Sequence, residues 1–280
     1  MAPNRTLLAV HAHADDETIT MGGTLARYSA AGVRTVVVTC TRGDLGWLLD
    51  PRLVGQDVAT VRDRELQAAG RVLGVSRLAQ LGYADSGIAG APENHRPGSF
   101  LSASLDEAAQ RLLEIVRQDR PQVMVAYDET GGYGHPDHLK SHLVAVAVFE
   151  AAGEVRPAKL YFVRFPLGWA REFVRALRAA SIDAPRAAPA GTDVGPEDAE
   201  IGVPDHLVTT AIDVRRYVPT KLAALACHAS QMPPEHFLRR MPLDLAERLW
   251  AYEYFSREAG PAPPSSSSDQ PEADLFAGLE

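Results

Sequence analysis

Cysteine is nearly absent: Cys40 and Cys227 are the only two in 280 residues. Two thiols build neither a disulfide framework nor a cysteine-type zinc site, and they suit a reducing compartment. Lysine is scarce as well, with only Lys140, Lys159 and Lys221, a bias that reads as genome composition. The formal net charge is −8 and no basic stripe is visible, which argues against a nucleic-acid groove. Half of the acidic excess sits in the last twenty residues, as Asp269, Glu272, Asp274 and Glu280. No apolar run approaches the roughly 20 residues of a membrane span. The N-terminus also lacks the basic segment and apolar core of a signal peptide, so the expected location is cytoplasmic with no membrane partner. Aromatic residues make up 7%, and they form no ladder of the kind that tracks a long glycan.

What is present suffices for a folded chain. Apolar residues at 46% can fill a sizeable core, and charged residues at 23% are ordinary, which excludes wholesale disorder. The length fits one large α/β domain or two small ones. We read residues 1–259 as a single domain and residues 260–280 (GPAPPSSSSDQPEADLFAGLE) as a low-complexity, disordered tail whose removal leaves folding and activity nearly unchanged.

Short apolar runs alternate with helical patterns. Leu7–Val10, Val33–Cys40, Arg77–Leu81, Gln122–Tyr127 and Lys159–Val163 read as strands. Thr18–Ala31, Asp57–Leu73, Ser104–Asp119 and Asp137–Ala152 read as the helices between them, with Ser104 as an N-cap and Gly32 and Gly74 as C-terminal stops. This alternation predicts an α/β, Rossmann-like, mostly parallel sheet with helices on both faces. Ligands on such sheets lie outside the carboxyl ends of the strands. One rim therefore collects His11–Glu17, Cys40–Gly46, Gly82–Gly87 and Asp128–His138. Beyond residue 165 the pattern weakens: residues 183–206 read as a surface loop, Val208–Val214 as a strand and Pro219–Ala229 as a helix.

Two clusters on that rim carry chemistry. The first, His11-Ala12-His13-Ala14-Asp15-Asp16-Glu17, sets three consecutive acids beside two histidines. Like charges this close raise one another's pKa unless a cation is present, and a divalent metal supplies one. His13 and Asp16 are three residues apart, so one turn can aim both at a point, while Asp15 faces a water. The second cluster, Gly131-Gly132-Tyr133-Gly134-His135-Pro136-Asp137-His138, repeats the spacing at His135 and His138. His138 completes a His/Asp/His set with His13 and Asp16 across 125 residues. Three protein ligands with an open position suit catalytic zinc, and the same set describes non-haem iron(II). Zinc needs no redox partner and suits hydrolysis, so Zn2+ is favoured, with Fe2+ as the alternative. His11 and His142 read as packing or supporting residues. His95, His206 and His236 read as surface or loop histidines, and Cys40 as core. Trp47 and Trp169 could line a pocket or pack at its rim.

At these two clusters the chain resembles the LmbE-like, or PIG-L, family of zinc-dependent de-N-acetylases. The motifs are HADDE at 13–17, with Ala14 where proline is commoner, and HPDH at 135–138. Supporting matches are VTCTRGDLG at 38–46, Arg62-x-x-Glu65-Leu66 and Asp85-Ser86-Gly87, so that the resemblance spans residues 5–230. GGYGHPDH resembles the mycothiol-pathway deacetylase branch, whereas HASQ at 228–231 resembles the mycothiol-conjugate amidase branch. The resemblance implies that His13, Asp16 and His138 hold zinc and that Asp15 is the general base. It implies that His135, oriented by Asp137, is an electrophile or general acid, and that Tyr133 polarises the scissile carbonyl. Arg62, Asp85 and, less directly, Asp44 are implied to contact sugar or polyol hydroxyls. The expected function is a hydrolase that removes acetyl from an N-acetylglucosamine-type amino sugar, a small-molecule substrate. An amidase acting on a larger thiol-sugar conjugate and a catalytically silent sugar-binding module are the rivals, and a homo-oligomer is compatible with the sequence.

Overall fold

The computed structural model describes residues 5–183, 202–263 and 271–279. Most of the 183–206 loop expectation therefore lies outside the described residues. The elements run β1 (Thr6–His11), α1 (Asp16–Ala30), β2 (Arg34–Thr41), α2 (Val58–Leu73), β3 (Arg77–Tyr83), α3 (Leu105–Asp119), β4 (Val123–Ala126), α4 (Pro136–Ala151) and β5 (Lys159–Arg164). They continue with α5 (Leu167–Ala179), β6 (Thr210–Asp213), α6 (Val218–Cys227), α7 (Phe237–Arg240), α8 (Leu243–Leu249) and β7 (Tyr252–Ala259). No helix among the described residues is long and apolar enough to cross a membrane.

The helix boundaries follow from local chemistry. The Asp57 carboxylate accepts the Thr60 N–H at 2.8 Å to open α2, and Gly74, at φ 72°, closes it. Ser104 Oγ accepts the Glu107 N–H at 3.1 Å to open α3. Pro136 occupies the first turn of α4, where its missing N–H costs nothing.

The sheet has seven strands in the order β3-β2-β1-β4-β5-β7-β6. The first five in this order are parallel, with Leu8 opposite Val36 on one side and Met124 on the other. Every residue of β1 is buried, because both faces of the sheet are covered. Leu8 and Val10 point into a core shared with Leu112 of α3 and Val144 of α4. Leu7 and Ala9 point the other way, into a core with Leu25 of α1, Ala69 of α2 and Ala224 of α6. The chain leaves β1 toward β2 on one side and enters β4 on the other, so the strand order reverses between β1 and β4. Crevices at such a reversal are where α/β sheets bind ligands, and both histidine clusters begin there.

Two features depart from the sequence reading. Strand β7 has no counterpart in the sequence reading; it pairs antiparallel with β5 and β6 in a sheet that is otherwise mostly parallel, as expected. The tail expectation also fails for residues 271–279. Leu275 and Phe276 are fully buried against Tyr28 and the lower core. The Glu272 backbone bridges to β6, donating its N–H to Thr209 O and accepting from Ala211 N, each at 2.8 Å. Its carboxylate accepts from Arg257 Nε at 2.6 Å and from the Tyr161 hydroxyl at 2.8 Å, with the buried Lys159 ammonium 3.7 Å away. The segment thus closes a sheet edge and neutralises a lysine that β5 carries into the interior. Phe276→Ala is expected to destabilise the fold by about 3–5 kcal/mol through lost burial and the cavity left behind. Urea denaturation checks this; a change within error would show that the segment contributes nothing.

Candidate metal centre and active site

The cleft sits above β1 and β4. It encloses about 740 Å³ and is lined at its floor by His13, Asp15, Asp16, Arg62, Asp85, Tyr127, His135 and His138. Leu45, Trp47, Leu49, Ile88, Tyr133 and Phe165 line it as well.

β1 delivers His11 into the interior, where it packs edge-on against Tyr127 with neither ring nitrogen hydrogen-bonded; burial lowers its pKa. Two residues on, His13 reaches the cleft. Its Nε2 lies 3.2 Å from Asp137 Oδ2, and its Nδ1 lies 3.4 Å from Asp16 Oδ2. The same Asp16 oxygen accepts the His13 N–H at 2.8 Å and lies 3.4 Å from His138 Nε2. His138 stacks on Tyr127 and bonds Gly131 O through Nδ1 at 3.0 Å. That bond puts the ring proton on Nδ1 and leaves Nε2 as a bare acceptor, buried with no hydrogen-bond partner. Two imidazole lone pairs therefore face one carboxylate. Such a set repels itself without a cation and matches the donor set of an open catalytic site. The residues fit a divalent metal held by His13 Nδ1, Asp16 and His138 Nε2. Each histidine is steadied by a group behind it, Asp137 for His13 and a carbonyl for His138. His13, His135 and His138 also bring one ring nitrogen each within 4.8 Å of one another, as His13, Asp85 and Asp137 do with one donor atom each. We favour Asp16 over these alternatives, because one of its oxygens lies equally near both rings, 3.4 Å from His13 Nδ1 and from His138 Nε2.

The loop glycines serve this geometry. A side chain at Gly131 would meet His138 Cβ at 2.7 Å, and its φ of +62° disfavours one in any case. At Gly43, with φ +61°, a Cβ would strike the Arg62 guanidinium at 2.6 Å.

Asp15 occupies the N-cap of α1 at φ 113°, an uncommon conformation for a residue with a side chain. Burial pushes its carboxyl up, opposed by the Arg62 cation and reinforced by Asp16, to about 6. Burial would raise Asp16 too, but His138 and His13, when protonated, hold it well below the usual carboxylate range; with neutral rings a bound cation would have to do the same. His135 sits at the mouth of the second cluster; burial and its histidine neighbours lower it to about 4, so it is neutral at pH 7.

Three implied roles change. Asp137 does not orient His135 with its carboxylate. That group accepts from Ser86 N at 2.9 Å and bonds His13, while His135 Nδ1 accepts the Asp137 backbone N–H at 3.1 Å as the cap of α4. Arg62 lines the cleft, but it is buried and donates to Ala14 O and Gly43 O at 2.7 and 3.1 Å, 3.4 Å from the Asp15 carboxylate. Its first duty is to brace the two loops rather than to reach hydroxyls. Asp44 has both oxygens occupied, by Asp85 N and by Arg96. Asp85 holds Gly87 N with Oδ1 and leaves Oδ2 in the cleft, 3.6 Å from His13 Nε2. Tyr133 is half-exposed over the rings of His135 and His138, where a ligand can meet it. His142 bonds the Tyr127 carbonyl and packs on Phe162, as a supporting residue.

Two groups escaped assignment from sequence. Glu17 is buried and accepts the Asp15 N–H and His228 Nε2, each at 2.9 Å. His228 caps the end of α6, and burial of the pair is offset by their mutual attraction, which lowers Glu17 and raises His228. The signal was HASQ at 228–231, visible in the chain without a role attached. Tyr127 was read only as the end of a strand.

Comparison with known proteins places the chain in a family. The family model for GlcNAc-PI de-N-acetylase, PIG-L, matches residues 8–149. The chain belongs to this family. A relative from Acidothermus cellulolyticus named 1D-myo-inositol 2-acetamido-2-deoxy-alpha-D-glucopyranoside deacetylase is 41% identical, over 99% of this chain and 96% of its own. One of the same name from Geodermatophilus obscurus is 39% identical over 100% and 99%. Among solved structures, the N,N'-diacetylchitobiose deacetylase from Pyrococcus horikoshii superposes with a TM-score of 0.57 at 22% identity, covering 91% of this chain and 84% of that one. That likeness extends to the fold.

His228→Ala would leave the Glu17 carboxylate buried without its partner. Breaking a buried pair this way costs about 3–5 kcal/mol. The expected outcome is a clear loss of stability by chemical denaturation; a loss below about 1 kcal/mol, the range of an exposed pair, would show that the pair is not a structural tie.

Proposed function

We propose that this chain is a metal-dependent hydrolase that releases acetate from the N-acetylglucosamine unit of a small glycoside, with an inositol glycoside as its substrate. The observation that carries the reading is the pair of imidazole nitrogens converging on Asp16 beside an elevated carboxyl at Asp15. The substrate assignment leans on relatives near 40% identity that are named for deacetylation of a 1D-myo-inositol glucosaminide and that match this chain from end to end. A cleft of about 740 Å³ is of the size that takes small molecules.

Bound at His13, Asp16 and His138, a divalent metal would supply Lewis acidity and lower the pKa of water. Zinc is the metal we favour, because amide hydrolysis needs no redox change. The chain's own groups do the rest. Asp15, pushed toward neutrality by burial, accepts a proton from the attacking water; a base near the working pH is both available and strong enough. Arg62 and the Glu17 contact to its N–H keep that carboxylate aimed. The carbonyl oxygen gains negative charge as water adds, and the Tyr133 hydroxyl donates to it. His135 is neutral and its Nδ1 is occupied, so Nε2 carries the proton available to the oxyanion or to the departing amine. Asp137 holds His13 in the tautomer that frees Nδ1. Asp85, with one oxygen free at the cleft, accepts a sugar hydroxyl.

Asp15→Asn keeps the shape and removes the proton acceptor. The variant is expected to retain its metal by elemental analysis yet lose about 10²–10⁴ in turnover of the inositol glycoside. Turnover within about threefold of the parent, far below that range, would remove Asp15 from the base role. By contrast, His13→Ala, Asp16→Ala and His138→Ala are each expected to lose metal and activity together. Stoichiometric metal in all three would mean that other residues hold it.

A further inference from the structure

Among the described residues, twelve large apolar side chains are exposed, and four of them, Trp47, Leu49, Ile88 and Tyr133, line this one cleft. Scattered exposed hydrophobics need no explanation, but a group of them around a polar floor marks a recognition surface. Trp47 is the largest of these and is 74% exposed.

Its loop is built rather than loose. Gln231 Nε2 donates to the Trp47 carbonyl at 2.5 Å, and the Leu49 N–H donates to Ser230 O at 3.1 Å. Ser230 is in turn clamped by Glu65, which accepts its N–H at 2.7 Å and its hydroxyl at 2.6 Å. At Gly46 a Cβ would lie 2.6 Å from Arg62 Nη1 and 2.8 Å from Gln231 Oε1, so the backbone is pressed onto these supports. The indole is therefore an exposed ring on a fixed mount, open to a ligand at the mouth of the cleft.

We propose that Trp47 is the platform on which the ring carried by the amino sugar's anomeric carbon stacks, and that it sets a preference for a cyclic polyol aglycone over a small alkyl one. This rests on the deacetylase reading above. The acetamide must reach the charged floor, so the remainder of a two-ring substrate projects toward the apolar mouth. A polyol ring presents axial C–H bonds on its faces and hydroxyls at its edge. An indole face accepts the former, while Asp85 and the polar floor serve hydroxyls nearer the metal site. Tyr133, on the loop before α4, is left to the reaction.

The test compares the parent metalloenzyme with Trp47→Ala and Trp47→Phe on two substrates, the inositol and the methyl N-acetylglucosaminides. Trp47→Ala is expected to lower kcat/KM on the inositol glycoside about tenfold, through KM, and to leave the methyl glycoside, metal content and melting temperature unchanged. Trp47→Phe restores most of the loss. Calorimetric binding of the deacetylated product, inositol glucosaminide, is expected to weaken by the same factor in Trp47→Ala. Equal effects on both glycosides, or none on the inositol one, would overturn the platform. Weakened product binding in a protein that releases acetate from neither substrate would instead support the platform and refute the deacetylase reading.

Discussion

Three consecutive carboxylates, Asp15, Asp16 and Glu17, enter the interior at the start of α1, and much of the molecule is arranged to make that tolerable. Buried acids this close would hold one another protonated. Each is instead met by a different cation or donor from a different part of the chain. Arg62 on α2 approaches Asp15, His13 and His138 converge on Asp16, and His228 at the end of α6 takes Glu17. The N-terminus of α1 adds its positive end to all three. The division of labour follows from the partners. The acid beside a guanidinium that also holds backbone carbonyls stays high enough to work as a base. The acid between two imidazoles stays ionised and suits a metal. The acid paired with a buried histidine becomes a tether for its neighbour's backbone.

That tether explains how Asp15 can keep its unusual backbone. A non-glycine residue at φ 113° costs of order 1–3 kcal/mol unless its surroundings hold it there. Glu17 does so by accepting the Asp15 N–H. The turn that follows His228 also carries Ser230 and Gln231, which fix the loop bearing Trp47. One turn at the end of α6 thus supports the base from below and the rim of the cleft from above. This links HASQ to the reaction without asking any of its residues to touch the scissile bond.

Much of this was legible before any coordinates. The first five strands, their four intervening helices and the shared rim follow from apolar runs, caps and the rule for parallel sheets. The His/Asp/His set follows from two three-residue spacings and from the cost of packing acids together. What stayed hidden depends on side-chain direction. Asp137 adjoins His135 in sequence, yet because His135 turns back to cap α4, the Asp137 carboxylate is free to swing to His13 on β1. Arg62 reads as a cleft residue and is one, but its donors meet loop carbonyls before they can meet a substrate. Composition misled in the last segment, where proline and serine outweighed a visible Leu275-Phe276 pair. A counter-signal existed in Lys159, a lysine leading directly into the run Leu160–Val163, which demands an acid partner once it is buried. Glu272 is that acid's carrier.

Strand β7 has a role that the sequence reading, which marks no strand there, leaves open. Helix α1 is not continuous: Met21 leaves helical geometry at φ −146°. A break inside a buried helix exposes donors and acceptors that water cannot reach, and each must be satisfied. Glu253 of β7 accepts the N–H groups of Gly23 and Thr24 just past the break, at 3.0 and 2.6 Å. Lys221 of α6 donates to Ile19 O before it at 2.9 Å and pairs with Glu253 at 2.7 Å. The antiparallel strand between β5 and β6 therefore supplies a second N-terminal cap inside α1. The first turns, which carry Asp16 and Glu17, can follow the geometry of the His13–Asp16–His138 cluster, while the later turns follow the packing of Leu25 and Tyr28 on the sheet. A straight helix would have to compromise between the two. The break separates them, and a buried Lys–Glu pair is the structural cost of that freedom.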